Sequence, residues 1–182
     1  CEAYVSTHTR FDKSTKSDMR PHHLILLCKD NEGYKNLSKL VTLGYTEGFY
    51  NKPRVDKELL RKYSKGLICL SACLSGELPR TLLDGRLADA IAVAKEYKDI
   101  FGEDYYIELQ SHGISEQERI LPSLLRVARD TGTQLVATND AHYVGKDDSY
   151  IQRLLTCIAT NTTLNDKSDM QFPTDEFYLK TE

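Results

Sequence analysis

The sequence has no apolar run long enough to cross a bilayer, since a membrane-spanning helix needs about 18 or more consecutive apolar residues. Its longest apolar stretches, such as Leu24 to Cys28, have the length of β-strands. It also lacks an initiator methionine, and neither a basic segment nor a signal sequence follows Cys1. These absences predict a chain that does not cross a membrane and that has been cut from a longer protein.

An excess of positive charge is missing as well. The 182 residues carry a formal net charge of −3, which argues against a chain whose main task is to hold a polyanion on a basic face. The five cysteines lack the density and regular spacing of a secreted disulfide scaffold, which favours the reducing cytoplasm. We predict that Cys28 and Cys69, which lie inside apolar runs, are buried free thiols that behave as small hydrophobic residues.

Several common catalytic motifs do not occur. The sequence contains no GxSxG, no GxxxxGK[ST], no GxGxxG and no CxxC. This excludes the common hydrolase, P-loop NTPase and dinucleotide-binding classes and leaves a structural zinc ribbon unsupported. The remaining chemistry is a mixed centre of His, Asp, Glu and Cys ligands, which can ionise a metal-bound water and clamp a phosphate for hydrolysis.

Short apolar or β-branched runs alternate with helical patterns along the chain, which predicts an α/β fold with a parallel sheet, open or closed into a barrel. The Pro53-Arg54 region is interpreted as a surface excursion, and Pro122 suggests a late start for its helix. A polar loop is predicted over 161–169. The predicted strands are residues 3–5, 23–28, 66–72, 105–109 and 134–138, and the predicted helices lie near 31–45, 56–63, 87–102, 115–128 and 151–158.

Possible metal ligands follow three of these strands, where loops converge in parallel α/β folds. Cys73, His112 and the pair Asp140 and His142 are the residues concerned. Side chains two residues apart point to the same side at the end of a strand, so Asp140 and His142 can share one cation. Taken alone, a capped loop with a surface histidine is an equal alternative for that pair, and a buried thiol is favoured for Cys73. Of His22 and His23, which are adjacent on a strand, at most one faces inward.

Long segments of the sequence, in order and over nearly the whole chain, resemble the amino-terminal PHP (polymerase and histidinol phosphatase) domain of the alpha subunits of bacterial DNA polymerase III. The segments that carry the resemblance are CEAYV (1–5), HLILLCKDNEGYKNL (23–37), YTEGFY (45–50), GLICLSACLSGE (66–77), ELQSHG (108–113), ATNDAHY (137–143) and FPTDEFYL (172–179).

The resemblance implies a distorted seven-stranded β/α barrel, similar to a TIM barrel, of which about five strands are present here. It implies a partial PHP domain over 1–160 and a connection towards the polymerase core over 161–182. The H-x-H and T-D-H segments of the family, which carry four of its nine expected metal ligands, are absent. His112 matches a position near the site and is not counted as a ligand; the metal ligands implied are Glu2, His23, Cys73, Asp140 and His142.

These ligands suit zinc, manganese or iron, and the polymerase core of the parent would use magnesium. No catalytic residue is assigned. The expected function is that of a DNA-directed DNA polymerase in the parent, which binds DNA, the sliding clamp and other replisome subunits, with a phosphoesterase or 3′-to-5′ proofreading site in this segment. The segment alone is expected to be inactive.

Two alternatives are kept. In the first, the PHP domain is a non-catalytic scaffold that stabilises the polymerase and docks an exonuclease subunit. In the second, which is less favoured, the chain is a free-standing phosphoesterase of the histidinol phosphate type. A basic patch for DNA is also considered, although a solvated helix face is the favoured interpretation; its members are Arg54, Lys57, Arg61 and Lys62.

Overall fold

A single mixed sheet with helices packed against it carries the candidate site. The computed structural model describes residues 1–166 and 172–181. Within them the strands are β1 (Glu2–Val5), β2 (His22–Cys28), β3 (Arg54–Val55), β4 (Leu67–Leu70), β5 (Tyr105–Leu109) and β6 (Gln134–Ala137). The helices are α1 (Asn31–Thr46), α2 (Lys57–Tyr63), α3 (Glu77–Leu83), α4 (Leu87–Phe101), α5 (Ser115–Thr131) and α6 (Ser149–Thr160). The predicted α/β class is confirmed.

The chain divides into two units, which are described separately. Unit 1 comprises Cys1–Glu108 and Ile120–Val136, and unit 2 comprises Leu109–Arg119 and Ala137–Glu182. No helix within the described residues is both long enough and apolar enough to cross a membrane. Residues 161–166 follow α6 without regular structure, as predicted, and the remainder of that predicted loop, 167–169, lies outside the described residues.

The sheet is not parallel throughout, which corrects the prediction. Its strand order is β3-β1-β2-β4-β5-β6, with β2 antiparallel to both β1 and β4, whereas β1 with β3 and β4 with β5 are parallel. The segment between β1 and β2 contains no helix in this structure. A parallel pair needs a long crossover, usually helical, so a chain that returns through a loop alone pairs antiparallel.

Three further sequence predictions were wrong. The Pro53-Arg54 region is not a surface excursion, because Arg54 is fully buried and Arg54–Val55 forms the additional strand β3. Helix α5 begins before Pro122 and continues through it, since a buried apolar stripe offsets the lost backbone hydrogen bond. Cys69 is buried as predicted, but Cys28 is exposed because it ends β2.

Alternating side chains give the two faces of the sheet different environments. Leu24 and Leu26 of β2 are buried, and Leu26 lies opposite the fully buried Cys69 of β4. Leu27, on the other face, is 45% exposed. Helices α1 and α3 contact β2. Because neighbouring residues on a strand point to opposite faces, His22 shares the face of Leu24 and Leu26 while His23 lies on the other.

Helix α1 begins in close contact with the turn before β4. Asp30 caps the helix by accepting a hydrogen bond of 2.8 Å from the Gly33 amide. Gly66, which adopts a φ of 73° that favours glycine, accepts a hydrogen bond of 2.8 Å from the Lys29 amide through its carbonyl oxygen. A Cβ at position 33 would overlap that same carbonyl oxygen. The close approach of two backbone segments therefore requires glycine at position 33.

We expect Gly33→Ala to lower the free energy of unfolding by about 3 kcal/mol, because the added methyl group forces α1 away from the turn at Gly66. Gly44→Ala in the same helix is the matched control. Its Cβ would meet no atom closer than 3.5 Å, so this substitution should stabilise the chain by up to about 1 kcal/mol through helix propensity. Urea denaturation measures both values, and equal effects at the two positions would contradict this packing.

Candidate metal centre

Three of the residues implied as metal ligands meet in unit 1. The register of β1 and β2 pairs Tyr4 with His23, which puts Glu2 on the same face as His23. The Glu2 Oε2 lies 3.1 Å from the His23 Nδ1, and the Cys73 Sγ lies 3.7 Å from the same nitrogen. The arrangement joins a carboxylate, an imidazole and a thiol at one point.

The loop after β4 brings Cys73 to this position. The His23 amide donates a hydrogen bond of 3.1 Å to the Ser75 carbonyl, and the backbone turns there through a bond of 2.8 Å from the Gly76 amide to the Cys73 carbonyl. A Cβ at Gly76 would overlap the Ser71 carbonyl oxygen, so the turn needs glycine. Backbone contacts thus hold the thiol beside the imidazole.

The two neighbours shift the pKa of His23 strongly. The hydrogen bond with Cys73, followed by that with Glu2, raises the pKa of His23 to about 9 against the opposing effect of burial. The imidazole therefore carries a proton at neutral pH in this arrangement. A cation that bound to Nδ1 would replace that proton, which makes binding at this nitrogen dependent on pH.

His22 differs from His23 in its pKa and in its hydrogen bonds. Burial, above all, lowers the pKa of His22 to about 4. Its Nδ1 is buried and forms no hydrogen bond with any described residue. As predicted, the two adjacent histidines do not face the same environment, and His23 is the one that joins the candidate ligands.

Asp140 and His142 lie together in unit 2, in the segment that follows β6. Asp140 has a φ of 42°, in the left-handed region. Its Oδ1 is 3.6 Å from the His142 Nε2. The His142 amide donates a hydrogen bond of 2.8 Å to the Phe177 carbonyl, and its ring packs against Phe172 with centroids 4.6 Å apart. The D-x-H pair therefore presents a carboxylate and an imidazole side by side.

His112 belongs to unit 2 and is 1% exposed. Its amide donates to the Gln117 Oε1 at 2.9 Å, so the Gln117 Nε2, also at 2.9 Å, donates to the His112 Nδ1. The ring proton is then on Nε2, which donates to the Asn139 carbonyl at 2.7 Å. Both ring nitrogens are engaged next to Asp140. His112 thus fixes the carbonyl that precedes Asp140. That it lies near a metal site without being a ligand stays a prediction.

The residues considered as a basic patch for DNA do not form an exposed, unpaired group of cations in the described structure. Arg54 is fully buried. Lys57 forms ion pairs with Glu77 at 2.8 Å and with Glu96 at 2.7 Å, and Arg61 contacts the same Glu96 at 3.1 Å. These cations are largely neutralised by their neighbours. Other basic residues line a cleft in unit 1, and no pattern in the sequence indicates them because they come from distant parts of the chain.

The donor types at these positions suit a divalent metal. Thiolate and imidazole favour zinc, whereas the carboxylates also suit manganese and iron. Over residues 1–166 and 172–181 no three such side chains are arranged to hold an ion. The contacts of Glu2 and Cys73 converge on one nitrogen of His23 instead. The donor types of each cluster are ones that bind divalent metals: Glu2, His23 and Cys73 in unit 1, and Asp140 and His142 in unit 2.

Comparisons with known proteins give a consistent family. A family model described as "PHP domain" matches residues 1–112. DNA polymerase III subunit alpha of Treponema pallidum (strain Nichols) is 47% identical over 183 residues, covering 100% of this chain and 16% of the relative. The subunit alpha of Thermus aquaticus is 46% identical over 99% of this chain and 15% of the relative. That of Helicobacter pylori (strain J99) is 38% identical over 99% of this chain and 16% of the relative. The chain therefore spans about one sixth of the length of these relatives.

Proposed function

This chain belongs to the PHP domain family, and from that membership we propose that it is part of a DNA polymerase III alpha subunit, whose activity is DNA-directed DNA synthesis. Identity of 38% to 47% to alpha subunits, over nearly the whole chain, supports this. In the same proposal the sheet contributes strands to a seven-stranded β/α barrel. The protein would act in the cytoplasm on DNA, together with the sliding clamp and other replisome subunits, and its polymerase core would use magnesium.

Within that protein we propose that this segment is a metal-dependent phosphoesterase that removes 3′-terminal nucleotides. The observation that carries the proposal is the meeting of Glu2, His23 and Cys73 on one side of β1 and β2. A zinc, manganese or iron ion, when bound, supplies an ionised water and a positive charge for the scissile phosphate. Glu2, His23 and Cys73 would hold such an ion in unit 1, and Asp140 and His142 are a separate pair of candidate ligands in unit 2.

The residues themselves have separable tasks. His23 would lose the proton on Nδ1 on becoming a ligand. Glu2 would supply a carboxylate oxygen to a hard cation, in place of its present contact with the imidazole. His112 fixes the carbonyl that precedes Asp140 and so orients the D-x-H carboxylate.

The test is a mismatched-primer assay on the full-length gene product. We expect release of the 3′-terminal nucleotide that stops on chelation, and a loss of at least ~100-fold in His142→Ala, since removal of a ligand should exceed the effect of an outer-shell change. His8→Ala, at an exposed histidine, is the matched control and should retain the rate. The proposal fails if excision is absent, or if it persists after chelation or in His142→Ala.

A second candidate is a non-catalytic scaffold that stabilises the polymerase and docks an exonuclease subunit. This candidate is favoured because the histidines already bind other groups of the protein. His23 contacts Glu2 and Cys73, and His112 forms hydrogen bonds with Gln117 and Asn139. Metal analysis with chelation separates the two candidates. Bound metal whose removal unfolds the domain, in a protein without metal-dependent excision, supports the scaffold.

A further inference from the structure

A cleft of about 680 Å³ opens in unit 1, on the side of the sheet opposite His23. The lining includes four cationic side chains and one histidine, and none of its described residues is acidic. Lys16 and Arg20 come from the loop between β1 and β2, Arg80 from α3 and Arg86 from the turn before α4, while His22 is the first residue of β2. Three separate parts of the chain thus bring positive charge to one cleft, and a fourth adds His22.

Most of this charge is not neutralised by the protein. Arg86 forms ion pairs with Asp84 at 3.0 Å and Asp89 at 3.1 Å. Among the residues that the structure describes, neither Lys16 nor Arg20 forms an ion pair or a side-chain hydrogen bond. Arg80 is half-buried, and within the described part of the chain its one side-chain hydrogen bond runs from its Nη1 to the Arg20 carbonyl at 3.1 Å. Lys16, Arg20 and Arg80 therefore share a cleft and form no ion pair with any described residue.

The carboxylate of Glu77, which acts on His22, is already engaged. Glu77, which acts electrostatically on His22, accepts hydrogen bonds from the Lys57 Nζ at 2.8 Å and from the Tyr97 hydroxyl at 2.9 Å. Its charge is thereby balanced by Lys57. Burial lowers the pKa of Arg80, and the neighbouring Arg20 lowers it further. Two guanidinium groups held close together in this way repel each other, and a bound anion would relieve the repulsion.

His22 adds an unused polar atom to the cleft. The Nδ1 is buried and has no hydrogen-bond partner among the described residues. A buried polar group left unpaired destabilises the fold, so a ligand oxygen that reached this nitrogen would recover part of the lost free energy. The imidazole can donate from Nδ1 in one neutral tautomer, which suits an anionic acceptor.

We propose that this cleft binds a phosphate group through Lys16, Arg20 and Arg80, with the His22 Nδ1 as a further donor. Guanidinium groups bind phosphate oxygens in pairs, and a phosphate dianion matches several cations better than a single carboxylate does. The phosphate comes either from a free nucleotide or from the backbone of a DNA strand. The site is distinct from the candidate metal centre, because His22 and His23 point to opposite faces, and it does not depend on the proposed excision reaction.

The experiment is calorimetric titration of the 182-residue chain in EDTA with three probes: inorganic phosphate, deoxyadenosine monophosphate and a short oligothymidylate. The double variant Lys16→Gln/Arg20→Gln should weaken binding at least ~10-fold, since it removes two charge-assisted contacts. Both side chains are exposed and make no internal bond in the described structure, so folding should be unaffected. Lys35→Gln/Arg129→Gln, which removes the same charge from exposed positions outside the cleft, is the matched control and should change binding less than about 2-fold.

The probes identify the source of the phosphate. Binding of phosphate or the mononucleotide, lost in the cleft variant, assigns the site to a free phosphate group; binding of the oligonucleotide alone, lost in the same variant, assigns it to a strand. The proposal is overturned if no probe binds, or if the two double variants weaken binding equally. Because chelator is present throughout, a failure here leaves the excision reaction standing, and a chain that binds phosphate but excises nothing overturns only the reaction.

Discussion

Replacing Arg54 with methionine is expected to lower the free energy of unfolding by about 3 to 5 kcal/mol, because several buried backbone carbonyls lose their donor at once. The side chain is fully buried. It donates to the carbonyls of Gly48 at 3.0 Å, Asp18 at 3.0 Å, Arg10 at 3.0 Å and Asp12 at 2.8 Å. Methionine keeps much of the side-chain volume but has no hydrogen-bond donor.

The same arginine orders the loop between β1 and β2. Three of the four carbonyls that it binds belong to this loop, which also carries Lys16 and Arg20. The Asp18 carboxylate, which is 2% exposed, accepts from Thr15 and lies near the guanidinium. Arg54→Met should therefore also increase the rate of proteolytic cleavage in residues 6–21, through loss of the contacts that hold them.

Arg61→Met is the control for loss of an arginine as such. Its side chain is 50% exposed and makes one contact with Glu96, so the expected loss is below about 1 kcal/mol. Arg54→Lys keeps the charge but cannot direct a fork of donors to four carbonyls, and should fall between the two. Urea denaturation of the three variants decides the matter: if Arg54→Met and Arg61→Met unfold at the same midpoint, the buried guanidinium does not hold the loop.

Arg54 also shows why the sequence alone misplaced this region. A charged residue next to a proline predicts an exposed turn, since arginine is rarely buried without partners. Its partners here are mostly carbonyls some 36 to 44 residues away along the chain. Sequence patterns over a few neighbouring residues cannot predict contacts between residues so far apart. The strand β3 was missed for the same reason, because its two residues pair with Tyr4 and Val5 of β1, which lie far away along the chain.

Helix α3 was missed because it is short rather than because its residues disfavour a helix. It contains seven residues with Pro79 in the first turn, where a missing amide hydrogen is tolerated. The longer helices α1, α4 and α5 were predicted to within a few residues, because their apolar stripes repeat over several turns. The antiparallel direction of β2 could not be predicted from the sequence, since the periodicity of a strand does not depend on whether its neighbour runs parallel or antiparallel.

The candidate site shows a similar division. The side chains of Glu2, His23 and Cys73 meet, although composition gave no reason to prefer Glu2 and favoured a buried thiol for Cys73. The position of Cys73 after a strand made it a possible ligand, but only the resemblance of long sequence segments indicated Glu2 and selected His23 rather than His22. The internal hydrogen bonds of His112 had no signal in the sequence, because they depend on a glutamine five positions later and a carbonyl 27 residues away.

Replacing His112 with phenylalanine is expected to weaken Zn²⁺ binding by about 10- to 100-fold in the proposed centre, as outer-shell changes do at metal sites. The phenyl ring can keep the stack on Phe177, whose ring centroid lies 4.3 Å from that of the imidazole. It cannot donate to the Asn139 carbonyl or accept from Gln117. The Asn139 carbonyl then loses the hydrogen bond that fixes it. The Asp140 backbone, which has a φ of 42°, is held less firmly, and so is the carboxylate that it carries.

Stability and positioning are separable in this experiment. Loss of the buried hydrogen bonds should lower the free energy of unfolding by about 2 kcal/mol, and His112→Gln, which keeps a polar group at this position, should restore part of both stability and affinity. His8→Phe, at an exposed histidine, controls for the change of residue type. Zn²⁺ affinity, measured by competition with a chelating dye at a temperature where every variant is folded, reports on positioning alone. A His112→Phe chain that is less stable but binds Zn²⁺ as tightly as the parent would restrict His112 to a structural part, since a positioning residue must change the affinity of the ligands it orients.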